Sequence, residues 1–134
     1  MTVEVAFLLV LLVVPLFYLV GTLGRVQAGA YAASAAAREA GRAFATADSV
    51  DAAPGRALAA AGLVYSAHGF EDGEGSVTTG CEGPCLSPGG RVVVDAAVSV
   101  PLPLVPDFME GAVPTSIMLT ARHTEPVDEF REAG

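Results

Sequence analysis

The sequence predicts an α+β protein: a long N-terminal helix, then a short helix, then a small antiparallel β-sheet domain. Three observations lead there. Residues 5 to 20 carry no charge, residues 25 to 47 are alanine-rich and free of proline, and the second half turns to Gly, Pro and β-branched residues in alternating patterns. These divide the chain into an apolar helix over 1–24, a helical stalk over 25–47 and an α+β domain over 48–134.

The first segment, with Gly21, Thr22, Leu23 and Gly24 added to residues 5–20, reaches the roughly 20 apolar residues that a helix needs to cross a bilayer. It reads as a transmembrane helix. A removable signal peptide is the competing reading, with cleavage near Gln27-Ala28-Gly29-Ala30. Such peptides have a basic start and an apolar core of about 7 to 15 residues, whereas this start is acidic and the run is longer, which favours a retained anchor. Glu4 is the one acid ahead of the run. An ionisable group at the edge of a span is costly unless neutralised, so it is a functional candidate by default. Pro15 removes an amide donor from the Leu11 carbonyl, and a kink is expected there.

From Arg25 to Ala47 alanine dominates. Ala is the best helix former, so the span should continue outward as one rod of about 45 residues, on the order of 65 Å. Gly29, Ala33, Ala37 and Gly41 recur at every fourth position and form one row. Such rows let helices approach closely, which makes these four candidates for assembly contacts; the abundance of alanine alone also generates them.

Asp48-Ser49-Val50-Asp51 supplies N-cap chemistry and Pro54 suits a first turn, so a second helix should start near Asp51 and stop at Gly62. Leu58, Leu63 and Val64 should pack on the sheet. Strands are expected at 63–68, 76–79, 91–100 and 117–124. In the third, Val92, Val94, Ala96, Val98 and Val100 face one way and Asp95 and Ser99 the other; Ile117, Leu119 and Ala121 form the matching inner set. The connection between these two strands, 101–114, is unusually long and apolar. Leu104, Phe108 and Met109 either cap the core or form an exposed contact patch. The acidic tail from Val127 should fray.

Cys81-Glu-Gly-Pro-Cys85 is the one cysteine pair, and its Gly-Pro turn suits a small-loop disulfide in an extracytoplasmic compartment. Metal binding would need further ligands, with His68 and His123 the obvious ones, so no metal site is expected. Glu71-Asp72-Gly73-Glu74 lacks the spacing of a calcium loop. No nucleophile elbow, phosphate loop or metalloprotease helix is present, so no catalytic or cofactor-binding residues are assigned and no enzyme is expected. The net charge is −8 and the seven basic residues are scattered arginines. That balance disfavours nucleic acid as a partner. The outer domain is small enough that a disulfide or an assembly partner should help to hold it.

An acid ahead of an apolar helix, an alanine-rich extension and a small disulfide-bearing sheet resemble the type IV pilins and pseudopilins. Met1-Thr-Val-Glu-Val-Ala-Phe-Leu-Leu9, the helix ending in Ala-Ala-Ala-Gly-Leu63, Val-Ser-Val-Pro-Leu-Pro-Leu104 and Leu-Thr-Ala-Arg-His-Thr-Glu125 resemble the TadE-like proteins of actinobacterial tight-adherence (Flp) pili. The resemblance implies a structural subunit, minor or major, of a cell-surface pilus. Its partners would be the membrane, other pilin subunits, the assembly machinery and, if a leader precedes the chain, a prepilin peptidase. In such families a glutamate near the mature N-terminus guides insertion into the filament, and Glu4 is the match. The family acid is usually the fifth mature residue, so a residue precedes Met1, or cleavage is shifted, or Met1 is a start codon.

Arg25, the basic residue flanking the span, lies on its far side, whereas positive charge should mark the cytoplasmic end. A removed basic leader would restore that rule, with the N-terminus cytoplasmic and the cysteine-bearing domain outside. Glu4 would then pair with a neighbouring α-amino group among packed helices, or else rest among headgroups. The alternative function is a stand-alone single-pass envelope protein whose outer domain binds a partner through the 101–114 loop.

Overall fold

The computed structural model describes residues 2–102, 107–109 and 111–130. Helix α1 (Val3–Ala45) is continuous for 43 residues, with Pro15 inside it. Helix α2 (Ala53–Ala67) follows a short turn, and three strands, β1 (Gly75–Glu82), β2 (Arg91–Pro101) and β3 (Ser116–Pro126), form an antiparallel meander with β2 central. The α+β class, the long apolar helix and the small antiparallel sheet are therefore as expected.

The alternation in β2 does what its period demands: Val92, Val94, Ala96, Val98 and Val100 are all buried. Ile117, Leu119 and Ala121 lie on the same inner phase of β3, and so do His123 and Glu125. The register pairs Val98 with Leu119 and Asp95 with Arg122. The latter two meet on the outer face, 2.7 Å apart.

The second half of α1 covers the inner face. A methyl group on Gly29 would collide with Val100 and come within 2.9 Å of Leu119; one on Gly41 would lie 3.2 Å from both His123 and Glu125 and 3.6 Å from Val94. Between these glycines the helix rises about 18 Å. From Val94 to Val100 the strand covers about 20 Å. The two distances match, so β2 runs alongside α1 in the opposite sense, toward its apolar end.

Several expectations need correction. Helix α2 passes through Gly62 and ends at His68, where Gly69 turns into the left-handed region at φ 82°. The strand expected at 63–68 is therefore helix. Tyr65 explains the extension: its ring is buried against Gly75, where an added methyl would collide with it, and its hydroxyl donates to the Ser76 and Ala97 carbonyls at 3.0 Å. Those carbonyls belong to residues paired across β1 and β2. The core face of α2 is Ala53, Ala57, Ala61 and Tyr65, which leaves Leu58 and Leu63 exposed instead of packed on the sheet. Val64 does pack against the core. The cap differs as well, since Ser49 Oγ accepts from Ala52 N–H at 3.2 Å one residue ahead of the helix. Val127, the first residue of the expected tail, is buried and its N–H donates to the Gly90 carbonyl at 3.0 Å, while residues 131–134 of that tail lie outside the described residues.

The stalk is likewise not a separate piece. Ala32, Ala33, Ala36, Ala37, Ala40 and Phe44 are among the core residues of the domain. Residues 32–47 share one hydrophobic core with α2 and the inner face of the sheet.

Candidate functional site

The first two-fifths of α1 is the most unusual surface on the molecule. The Val, Leu and Phe side chains from Val3 to Val20 are all exposed, among them Phe7, Leu8, Leu12 and Phe17, the last at 73%. A soluble monomer rarely carries a contiguous apolar patch of this size. The helix is long and apolar enough to cross a membrane: its best window has a mean hydropathy of 2.7, with none of it buried within the protein. Glu4 stands in the first turn, exposed, where a carboxylate interacts favourably with the positive end of the helix dipole. It takes part in none of the ion pairs formed among the described residues.

The row Gly29, Ala33, Ala37 and Gly41 has a different position from the one expected of an assembly face. All four are buried, and the two glycines abut the protein's own sheet. Small side chains are needed here because strand and helix backbones approach closely, and the same spacing that suits a neighbouring helix suits a sheet. No exposed surface remains at these residues for another subunit.

Where the apolar stretch ends, one stripe of α1 is covered. Tyr18, Thr22, Arg25 and Val26 are half-buried while Leu19, Val20, Leu23 and Gly24 are exposed, and Gly29, next in that stripe, is fully buried. The guanidinium of Arg25 lies 5.1 Å from the centre of the Phe70 ring, a cation–π contact that ties the end of α2 back to the foot of the domain. Sequence reading missed this pair because 45 residues separate its members and neither belongs to a motif.

The 101–114 connection meets its two expected alternatives differently at different residues. Phe108 is 86% exposed on a short 3₁₀ turn, Asp107–Met109, and Met109 is partly exposed, so both lie outside the core. Leu104 lies outside the described residues. Leu102 N–H donates to the Thr115 carbonyl at 2.9 Å, which holds the two ends of the connection together beyond the strands.

Cys81 and Cys85 are joined by a disulfide with their Cα atoms 5.5 Å apart. Beside it Leu86, at φ 53°, is fully buried. A leucine in the left-handed region is disfavoured by about 1–2 kcal/mol. The cross-link and the turn through Gly90, whose N–H donates to the Ser87 carbonyl at 3.0 Å, hold it there as a plug at the far end of the core. The sequence carries no signal for this, since Leu86 sits alone among Ser, Gly and Pro.

Other polar groups are engaged locally. Arg122 donates to both Asp95 carboxylate oxygens, at 2.7 and 3.2 Å, and these hydrogen bonds hold the Asp95 carboxyl below the usual carboxylate range. Burial pushes the Tyr65 hydroxyl up, opposed by its hydrogen bond to Ala97. His123 Nε2 lies 2.7 Å from Glu125 on the half-buried inner face. A groove of about 380 Å³ between α1 and α2 is lined by Ala35, Glu39, Leu63 and His68 among others. Its Glu39 lies 3.8 Å from Arg42 and its His68 is bound to the Val64 carbonyl. Among the described residues no cluster of His, Cys, Asp and Glu is arranged to hold a metal.

Comparison with protein-family models, with curated proteins and with solved structures yields no match. The functional reading therefore rests on the physical character of the chain.

Proposed function

We propose that this chain is a pilin-like structural subunit of TadE type, anchored in the cell membrane by α1 and assembled into a tight-adherence pilus through that same helix. The observation that carries the reading is the wholly unburied apolar stretch of α1, edged by a single carboxylate and continuous with the core of a small domain. An apolar surface without a partner in the monomer fits lipid before assembly and neighbouring helices after it. Glu4 then pairs with the α-amino group of an adjacent subunit, and the disulfide-bearing domain faces outward.

Breaking one partner of a buried ion pair costs about 3–5 kcal/mol. Glu4→Ala should therefore leave the protein in the membrane fraction and abolish its release with sheared surface fibres, while Glu4→Asp retains part of it. Unchanged sheared fibres in Glu4→Ala would exclude the ion pair as the assembly device.

The exposed Phe108 favours a second reading, a stand-alone envelope protein that works through its outer domain. Imaging material sheared from cells separates the two. Fibres containing this chain belong to the subunit reading alone.

A further inference from the structure

We propose that copies of this chain standing in one membrane join their sheets side by side, the β3 edge of one copy pairing with the β1 edge of the next. The shared upright orientation rests on α1 being a span, as proposed above.

Both edges of the sheet offer free backbone groups. Leu102 N–H donates to the Thr115 carbonyl and Val127 N–H to the Gly90 carbonyl, so the odd-numbered residues of β3 aim their backbone groups at β2. Met118, Thr120, Arg122 and Thr124 aim theirs away, and among the described residues those backbone groups meet no partner. On β1, where the Glu74 carbonyl accepts from Ser99 N–H, it is Gly75, Val77 and Thr79 that face outward. Edge strands are commonly blunted by lysine, proline or a bulge. Strand β3 keeps an unbroken register with β2 over eleven residues, has no proline before Pro126, and the chain contains no lysine.

Orientation selects the partner. Strands β1 and β3 are both antiparallel to β2, so both run in the same sense as α1. Shafts held in one bilayer point the same way, and an upright neighbour can therefore offer a strand only in parallel. A parallel ladder bonds each residue to the two that flank its opposite number, so a continuous sheet needs edges whose free groups come from opposite faces. Strand β3 exposes those of its wet-face residues and β1 those of its inner-face residues, which meets the condition. Two β3 edges meet it only with one sheet turned over and the shafts on opposite sides. Equal depth then sets the register. Ser76 and Thr120 both pair with Ala97 and stand at one height. Thr120 N–H thus donates to the Gly75 carbonyl of the second copy, and the Thr120 carbonyl accepts from that copy's Val77 N–H.

The inner face fits the same neighbour. Ile117, Leu119 and Ala121 are half-buried where the β2 set is fully buried, so the cover of α1 stops short of this edge. Leu119 is level with Gly75, since both pair with Val98. Beside Gly75, between α2 and β1, lies a recess of about 210 Å³ lined by Leu58, Gly62 and Tyr65 among others. A methyl on Gly62 would meet nothing within 4 Å, so the protein's own packing leaves this room unused. Leu119 of one copy fills it in the next.

The chain has two cysteines, both in the disulfide, so an added thiol is a unique label. Full-length Ser76→Cys, Thr120→Cys and Glu82→Cys, each available with two different tags, are mixed in pairs, reconstituted in phospholipid vesicles and treated with a short bis-maleimide. Glu82 lies six residues beyond Ser76 on β1, about 20 Å along the strand. The expected result is a covalent dimer from Ser76→Cys with Thr120→Cys, and none from Thr120→Cys with itself or with Glu82→Cys. A Thr120→Cys homodimer in equal yield overturns the proposal, because like edges would then meet. Equal yield with Glu82→Cys overturns it as random collision. No dimer from any pair, in protein that resists carbonate extraction, overturns the joined sheet and leaves the span intact. Release of the protein by carbonate overturns the span and, with it, the orientation on which the pairing depends.

Discussion

Tyr65 is the residue that fixes α2 to the sheet. Its hydroxyl serves two carbonyls of one cross-strand pair, and no other side chain on α2 reaches them. Tyr65→Phe removes this link between α2 and the two strands and should lower the stability of the domain by about 1 kcal/mol. Urea unfolding in detergent, followed by circular dichroism, should show a lower midpoint with an unchanged slope. Asp95 and Arg122 lie on the wet face, and their pair acts through pH. The folded-state pKa of Asp95 lies below its unfolded value, so the contribution is present above the ordinary carboxylate range and is lost as pH falls through the folded value. Arg122→Gln should flatten that acid limb of the stability curve, with little change at neutral pH because the pair is exposed. A limb of the same slope in the variant would place the acid sensitivity at other carboxylates.

At the scale of elements, α1 decides the domain because its alanine face covers β2 and β3, while α2 reaches the sheet beside β1. Ala37 and Gly41 sit where helix meets sheet, so Ala37→Leu and Gly41→Leu overpack the core and should each cost about 1–3 kcal/mol. Arg38→Leu, one position away on the exposed face, should be close to neutral. Equal stability in all three would remove the close contact from its assigned place. The cross-link is a smaller matter. A loop this short restricts the unfolded chain by only about 2 kcal/mol, so Cys81→Ser with Cys85→Ser should lower the melting temperature modestly, and the wild type should show no alkylatable thiol until reduced. What could be read from the sequence divides along physical lines. Strands β2 and β3 were legible because a period of two is strict once one face is buried. The end of α2 was not, since a glycine inside a helix costs only about 1 kcal/mol and the anchoring of Tyr65 outweighs it. The row of small residues correctly signalled a close approach, but spacing along one helix says nothing of whether a sheet of the same chain or a helix of another fills it. Leu86 and the Arg25–Phe70 contact depend on long-range packing and leave no local trace.

For the whole molecule, the consequence lies in how it would carry a load. Helix α1 is at once the apolar shaft and the floor of the domain's core, and no flexible linker stands between the two roles. A pull on the sheet is therefore borne by the interlocked faces of β2, β3 and the alanine stripe, and passes into the shaft without a joint that could stretch or swivel. Twisting the shaft turns the head by the same angle. Pro15, where one backbone hydrogen bond is missing, is the natural point of compliance, and it lies within the apolar stretch. Strain from the outside would thus be relieved at the depth where neighbouring shafts, or lipid, can follow the bend.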